Sequence, residues 1–281
     1  MRTKKYFLLA LLLMPAFVAC DKDNKDDGGS SLDQLLGEWS IKDKVDNPKN
    51  VKKLSLLKDG KYIGNEIYLR YKDDIQIVDE EFKTEGDYKY EDNVLATLTG
   101  ETKWRESTYN ESTGQYELGD WEVDDEVEFE GAEMNVSLKL GGSVMLMTKD
   151  DDPYTYFVYK EGASLPSDKS ALKGTWICKF ELKSNPYLYA LKIDADSLEL
   201  IIGHWEDRYV CKYEYKGGYI NITECAYYGF DGREFNMDDP FDNEWELYDP
   251  EDDELGGIPM VVDGSAAYVR IFDDFQTFRK K

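Results

Sequence analysis

The chain contains a single histidine, His204, which stands between Gly203 and Trp205. A serine triad or a cysteine–histidine pair would have to use this one imidazole, and zinc sites usually draw on several histidines or cysteines. The sequence also lacks a Gly-rich phosphate loop, an HExxH motif and a serine elbow. We therefore expect a protein without catalytic activity. The enzymatic alternative that uses this histidine pairs it with Cys178 or Cys211.

Clustered carboxylates are the second feature that could do chemistry. The chain has 59 Asp and Glu against 34 Lys and Arg, a net charge of −25, so acidic pairs occur throughout and none by itself indicates a glycosidase. In the loop at 238–254, Asp249, Glu251, Asp252 and Asp253 supply several oxygens, and calcium takes several oxygen ligands. We expect a solvated loop or a calcium site here, and no other metal or cofactor.

Three cysteines follow Cys20, and an odd number in an exported chain implies a free thiol or an intermolecular bond. Cys211 and Cys225 flank a predicted turn at Gly217-Gly218, at distances from it that differ by one residue. A disulfide between them therefore requires a β-bulge. The alternative is that all three, with Cys178, are reduced and buried as small apolar residues.

The N-terminus has the layout of an export signal. Basic residues among the first five positions precede an apolar run from Tyr6 to Ala19. This run is shorter than the about 20 residues of a membrane span and is typical of a signal peptide. Phe17-Val18-Ala19-Cys20 resembles a bacterial lipobox, with Phe17 where leucine is commoner. The resemblance implies a signal peptide at 1–19 and lipidation of Cys20; the alternative is an ordinary signal peptide.

Residues 20–31 form an acidic stretch that ends in Gly28-Gly29-Ser30-Ser31. This composition cannot bury a core, and its Gly/Ser part is typical of a flexible tether. Acidic runs after a lipidated cysteine resemble the export signal of bacterial lipoproteins displayed on the outer leaflet; the alternative is a plain spacer. We therefore predict a lipid-anchored outer-membrane protein at the cell surface. The net charge of −25 excludes nucleic acid as a partner, because phosphates would be repelled.

The pattern Leu-x-Gly-x-Trp occurs twice, at Leu35–Trp39 and Leu172–Trp176. Each copy leads into a strand, continues to a Tyr-x-Tyr hairpin, and ends in an aromatic strand, at 154–159 in the first copy and 267–272 in the second. Alternation of period 2 between Gly, Asp and Asn turns predicts antiparallel sheet. We therefore predict an all-β protein with two tandem units.

The predicted units are a first β domain at 32–160, a linker at 161–171 and a second β domain at 172–281. The linker contains Gly, Pro and Ser without alternation. Short strands separated by acidic turns predict an antiparallel barrel in each domain, with a β-sandwich as the alternative. Four of the strands in the first domain are predicted at 74–78, 87–91, 94–99 and 102–108.

Gly37 with Trp39, and Gly174 with Trp176, at the entrance of the first strand of each unit, resemble the opening of a lipocalin-like domain. The resemblance implies two tandem lipocalin-like barrels whose tryptophan packs across the closed end, with a basic residue over it. Candidates for that residue are Lys160 and Arg279. A large apolar side chain at a strand entrance also suits a barrel plug on physical grounds.

The combined prediction is a surface-anchored lipoprotein that binds a small apolar or glycan ligand through its barrels. The alternative is a structural or accessory protein of an outer-membrane assembly with no small-molecule ligand; a third is an enzyme that uses clustered carboxylates. Aromatic residues near the acidic loops could stack on sugars, line a cavity or simply pack the barrel. They are Trp205, Tyr227, Tyr228, Phe230, Phe235, Phe241 and Trp245.

Overall fold

The computed structural model describes residues 31–72, 75–124, 131–150, 152, 154–182, 185–203, 207–248, 257–272 and 274–281. Several predicted features lie outside these residues: the signal peptide 1–19, Cys20 with nearly all of the tether, His204, Trp205, and the calcium candidates Asp249, Glu251, Asp252 and Asp253. The chain forms two compact units, which divide between Ala163 and Ser164, inside the predicted linker 161–171; the short segment Asp43–Val45 is grouped with the second unit. Each unit is built almost entirely of antiparallel β-strands.

The first unit begins with a one-turn helix, α1 (Leu32–Leu35), and closes on itself as a barrel. Its strands are β1 (Gly37–Lys42), β2 (Asn50–Leu56), β3 (Lys61–Lys72), β4 (Ile75–Glu91), β5 (Val94–Asn110), β6 (Gln115–Leu118), β7 (Glu122–Val123), β8 (Glu133–Lys139), β9 (Val144–Thr148) and β10 (Thr155–Lys160). The closed circuit runs β1–β2–β3–β4–β5–β8–β9–β10 and returns to β1. Strands β6 and β7 pair with β5 outside this circuit.

The second unit begins with a 3-10 turn at Lys169–Leu172 and repeats this topology. Its strands are β11 (Gly174–Leu182), β12 (Asn185–Ile193), β13 (Ser197–Ile202), β14 (Asp207–Lys216), β15 (Tyr219–Phe230), β16 (Trp245–Tyr248), β17 (Gly257–Asp263), β18 (Ala266–Ile271) and β19 (Asp274–Lys280). The circuit runs β11–β12–β13–β14–β15–β17–β18–β19 and returns to β11, while β16 pairs with β15 outside it. The prediction of antiparallel barrels is confirmed.

Alternation and turn chemistry explain why these segments form strands. In β13, Leu198, Leu200 and Ile202 are buried on one face, while Glu199 on the other face pairs with Arg208. The hairpin between β14 and β15 turns at Gly217-Gly218, where both residues have a positive φ that glycine adopts without strain. Antiparallel neighbours joined by short turns then need no crossover to close the barrel.

Two predicted pairs of strands are wrong. Single strands, β4 and β5, replace the pairs predicted at 74–78 with 87–91 and at 94–99 with 102–108. The intervening residues are polar, but they remain in the sheet through cross-strand ion pairs such as that between Arg105 and Glu81 at 2.6 Å. A run of polar residues predicts a loop when it is considered alone. Which charges lie opposite one another on neighbouring strands cannot be read from local composition.

The closing strand of the second barrel is β19 and not the predicted strand at 267–272. That segment corresponds to β18, and the chain then turns and returns along β11. Strand β19 alternates Asp274, Gln276, Phe278 and Lys280 on one face, so its inward face is too polar to be recognised by hydrophobic alternation. Among the described residues, no helix has the length and apolar composition needed to cross a bilayer.

Candidate functional site

Each barrel has a buried tryptophan, the predicted plug, near the start of its first strand. Trp39 and Trp176 are fully buried, and each indole N–H donates a hydrogen bond to the carbonyl four residues earlier. Trp39 Nε1 lies 2.8 Å from Leu35 O, and Trp176 Nε1 lies 2.7 Å from Leu172 O. Because a buried N–H without an acceptor is costly, the short turn before each first strand serves to satisfy the plug.

The glycines before the plugs allow the chain to enter the barrel. Gly37 has φ +120° and Gly174 has φ +131°, values that residues with a Cβ rarely adopt. A Cβ on Gly174 would also lie 2.7 Å from Cε of Lys280. In both units, therefore, a glycine with a positive φ stands at the start of the first strand, two residues before the buried tryptophan.

A lysine covers each plug from the last strand. Nζ of Lys160 lies 5.2 Å from the centre of the Trp39 ring, and Nζ of Lys280 lies 5.1 Å from that of Trp176. Lys160 is one of the two basic residues proposed from the sequence. The other, Arg279, is wrong: it pairs with Ile177 in register, and strand alternation places it on the opposite face from Lys280.

The structure joins Cys211 to Cys225 by a disulfide across β14 and β15. The two residues are direct register partners, and the register shifts by one residue between Lys212 and Tyr213. This is the bulge that the unequal spacing from the Gly217-Gly218 turn requires. Cys178 is the remaining thiol of the described residues and is buried.

The opposite end of the second barrel carries a group of aromatic side chains, which we call the aromatic mouth. Its members are Phe180, Tyr187, Tyr189, Tyr209 and Tyr227. Phe180 stacks at 5.3 Å from Tyr187 and 5.9 Å from Tyr189, and the rings of Tyr209 and Tyr227 lie 5.2 Å apart. Strand register places all five on the same face as the plug Trp176, that is, towards the interior.

Two carboxylates accompany the aromatic mouth. The Tyr189 hydroxyl donates to Asp274 Oδ2 at 2.6 Å, and the Tyr227 hydroxyl donates to Asp207. Burial and this contact with Asp207 raise the pKa of Tyr227 above its ordinary value, so the phenol stays protonated over the whole physiological range. Aromatic faces beside fixed hydrogen-bonding groups are the usual lining of a small-molecule site.

Cys178 and Gln276 lie deeper in the same barrel. The Cys178 thiol approaches Gln276 Oε1 at 3.4 Å, and both side chains are buried. Burial raises the pKa of the Cys178 thiol to about 12, which keeps it protonated at neutral pH. A buried, protonated thiol is a poor nucleophile, so its surroundings do not favour the cysteine–histidine alternative.

The interior of the first barrel is more polar. Glu66 is 4% exposed and accepts hydrogen bonds from Tyr68 at 2.8 Å and from Asn50 at 3.1 Å. Lys52 lies 3.4 Å from the same carboxylate. Register places Glu66 and Lys52 in one row with the buried Ile41, so this polar group faces inward.

Most of the aromatic residues singled out from the sequence pack against one another or against charged side chains. Phe230, Phe235 and Trp245 form an edge-to-face triad with centroids 5.5 to 6.0 Å apart. The Tyr228 ring lies under Arg208 and the Phe241 ring under Lys192. Of that set, Tyr227 belongs to the aromatic mouth.

One described residue of the predicted calcium loop forms an ion pair with a lysine. Asp238, at the start of the predicted calcium loop, pairs with Lys179 at 3.0 Å. Across the described part of the chain, no group of three or more His, Cys, Asp or Glu residues is arranged to hold a metal ion. Calcium at Asp249 to Asp253 stays a prediction, because those residues lie outside the described ranges.

The sequence did not point to the polar residues at the end of the second barrel opposite Trp176. These are Asp207, Asp274 and Gln276, together with Tyr189. Hydrophobic alternation could not have identified them, because the inward face of β19 carries Asp274, Gln276 and Lys280 beside the single apolar Phe278. Asp207 and Asp274 lie beside Tyr227 and Tyr189 only because the barrel brings together residues from different strands.

No protein-family model matches the chain, and a search of curated proteins with its sequence gives no match.

Proposed function

We propose that the chain is a surface-anchored, non-catalytic lipoprotein of lipocalin-like architecture that binds a small ligand at the aromatic mouth of its second barrel. The ligand is apolar or a glycan. The observation that carries the proposal is the combination of stacked rings with Asp207 and Asp274 on one inward face. Such a lining offers flat apolar contact together with acceptors that fix orientation.

The asymmetry of the second barrel supports this location. Its buried core surrounds Trp176 and extends as far as Tyr189. At the end opposite Trp176, Phe180 and Tyr209 pack against this core and are partly exposed, and Tyr187 and Tyr227 are also of intermediate exposure. Partly exposed aromatics on an inward face are available to a ligand that enters from solvent, whereas fully buried ones are not.

A fluorescent probe tests the proposal. The full mature chain is used with Cys20→Ser, because a protein without the lipid anchor needs no detergent. Detergent would compete with the probe for an apolar site. N-phenylnaphthylamine is neutral and apolar, and it is not repelled by a chain of charge −25. We expect saturable binding, seen as a rise in its emission, and no such rise would overturn the proposal for apolar ligands. Titration of a panel of methyl glycosides into the same protein, measured by calorimetry, tests the binding of glycans.

A matched pair of variants locates the site. Tyr187→Ala removes one ring that stacks on Phe180, and we expect the probe Kd to rise about fivefold. Tyr109→Ala removes an exposed ring from the first unit and should leave Kd unchanged. Equal effects of the two substitutions would place the probe elsewhere.

The accessory-protein alternative is favoured by a different observation. Strand β16 lies at the edge of its sheet, and there Leu247 is 63% and Tyr248 46% exposed. An open strand edge with exposed apolar side chains can pair with a partner strand. Extraction in mild detergent followed by native mass spectrometry separates the two: a mass increment of a small molecule supports the ligand proposal, and a stoichiometric protein partner supports the alternative.

Anchoring has its own test. Cys20→Ser should release the protein from membranes into the soluble fraction, because acyl chains supply the membrane affinity of an acidic chain. Retention of that variant in the membrane fraction would contradict lipidation at Cys20. Protease shaving of intact cells then reports surface exposure of the wild-type chain.

A further inference from the structure

Gln276 has a donor, Nε2, for which the described residues supply no acceptor. The side chain is 1% exposed, and its Nε2 has no hydrogen-bond partner within the described part of the chain. A buried amide N–H without an acceptor costs about 1–3 kcal/mol, so an isolated glutamine is an unexpected residue at this depth. The same position in a purely structural barrel would be filled at lower cost by an apolar side chain.

The Gln276 amide lies beside a thiol. Its other terminal atom, Oε1, lies 3.4 Å from the thiol of Cys178, which can donate to it. This contact occupies the oxygen and leaves the nitrogen for another group. The register partner of Gln276 is Val269, which is fully buried and offers no side-chain acceptor.

The position of Gln276 connects it with the aromatic mouth. It follows Asp274 by two residues on β19, so both side chains point to the barrel interior, and Gln276 lies about 7 Å deeper along the strand. Asp274 accepts the Tyr189 hydroxyl at the mouth. A molecule that entered past Tyr189 would therefore meet the Gln276 amide after about the length of two fused rings.

We infer that Gln276 is the deep anchor of the ligand site, and that it recognises a neutral, flat, mainly apolar molecule whose leading end carries a carbonyl or similar acceptor. The inference rests on the proposed function and specifies its ligand chemistry. The acceptor follows from the unused N–H of Nε2. The flat body follows from the stacked rings, and the absence of negative charge follows from Asp207, Asp274 and the net charge of −25.

Two probes that differ in one group test the anchor. Prodan is a neutral naphthalene with a ketone, and N-phenylnaphthylamine has no carbonyl. Both are titrated into the full mature chain with Cys20→Ser, with and without Gln276→Met. We expect Gln276→Met to raise the Prodan Kd about fivefold while the Kd of N-phenylnaphthylamine changes less than twofold. Gln115→Met, on an exposed strand of the first unit, is the control and should change neither.

The outcomes separate the inference from the function on which it rests. If both probes bind and Gln276→Met changes both equally or neither, the anchor is wrong while ligand binding stands. If neither probe binds the wild-type chain, both the ligand site for apolar molecules and its anchor are overturned.

Stability gives a second readout that needs no ligand. Replacing an unpartnered amide by a thioether of similar shape removes a desolvated donor, so Gln276→Met should leave the urea midpoint of the second unit unchanged or raise it. A clear fall in that midpoint would mean that Nε2 is already satisfied in solution, by a protein group or a fixed water, and would overturn the anchor. Unaltered far-UV circular dichroism shows that the variant is folded in either case.

Discussion

The two barrels differ sharply at one equivalent place, where the fourth and fifth strands of each circuit pair just before a bulge. In the second barrel this register pair is Cys211 with Cys225, joined by the disulfide. In the first barrel it is Gly86 with Gly100. One barrel thus has a covalent cross-link where the other has no side chains at all.

The neighbouring strand compensates for this difference. Tyr62 is the register partner of Gly86, and a Cβ on Gly86 would lie 2.7 Å from Cε1 of its ring. The equivalent partner of Cys211 is the smaller Leu198. Each barrel therefore fills the same space, one with a large ring over two glycines and the other with a leucine beside a disulfide. Cores tolerate such exchanges when the total volume is kept.

A second difference concerns polarity. The register pair Lys52 and Glu66 of the first barrel corresponds to Tyr189 and Ile202 of the second. The plug tryptophan, the glycine before it and the lysine over it are the same in both units. These ends of the two barrels are therefore built in the same way. The halves away from the tryptophans differ in chemistry, and this is why we propose a ligand site in the second barrel.

The strongest test of the shared closed end removes the plug. Trp176→Ala and Trp39→Ala should each lower the free energy of unfolding of their own unit by about 4 kcal/mol, because each ring is fully buried. Urea unfolding monitored by circular dichroism measures both. Trp121→Ala, a partly exposed ring under Arg105, is the control and should cost about 1 kcal/mol. Similar losses for Trp121 and Trp176 would contradict the plug.

Removing the cross-link tests the first difference directly. Cys211→Ala with Cys225→Ala opens a loop that spans 14 residues of sequence separation, and should lower the unfolding free energy of the second unit by about 3 kcal/mol. The first unit should be unaffected. Dithiothreitol should reproduce the shift in the wild-type chain and do nothing to the double variant. A dithiothreitol effect on the double variant would show that the loss has another source.

The glycine pair allows the converse experiment in the first barrel. Gly86→Ala should cost about 2 kcal/mol, since the new methyl meets the Tyr62 ring. Combining it with Tyr62→Leu should recover at least about 1 kcal/mol relative to additivity. Gly64→Ala, whose Cβ would have an ordinary contact at 4.0 Å, is the control and should cost less. Strict additivity would mean that Tyr62 and Gly86 do not share this space.

Alkaline titration gives the smallest expected effect. Burial raises the pKa of Tyr62 in the first unit and of Tyr215 in the second to about 12. In the unfolded chain these phenols titrate near 10. The protonated phenols therefore add to the free energy of unfolding in full below pH 10, and this stabilisation is lost as the pH rises towards 12. Tyr62→Phe should reduce the fall of the unfolding midpoint with pH in the first unit only. Tyr215→Phe should do the same in the second unit only. Unfolding midpoints measured between pH 9 and 12 check this, and an unchanged slope would refute it.

Several features could be predicted from the sequence because they depend on neighbours in the chain. The repeated Leu-x-Gly-x-Trp predicts two units, and alternation with glycine turns predicts antiparallel strands. The unequal spacing of Cys211 and Cys225 about one turn predicts the need for a bulge, which the register shift confirms. Lys160 could be proposed because the end of the first unit was recognised.

Other features required the tertiary structure. Lys280 was missed in favour of Arg279 because one position on a strand decides whether a side chain points inward or outward. The Gly86 and Gly100 pair, the Lys52 and Glu66 pair, and the mouth around Tyr189 each bring together residues from different strands.

Local order along the chain thus determined that this protein is a duplicated β structure with a tryptophan at the entrance of each copy. Barrel closure decided what each interior contains, because it sets which strands adjoin and in which register. The Gln276 Nε2 donor has meaning only after that closure, when Val269 and Cys178 become neighbours of Gln276 and the described residues supply Nε2 with no acceptor. Burial, which is a property of the closed barrel and not of the strand, turns an ordinary glutamine into a candidate ligand contact.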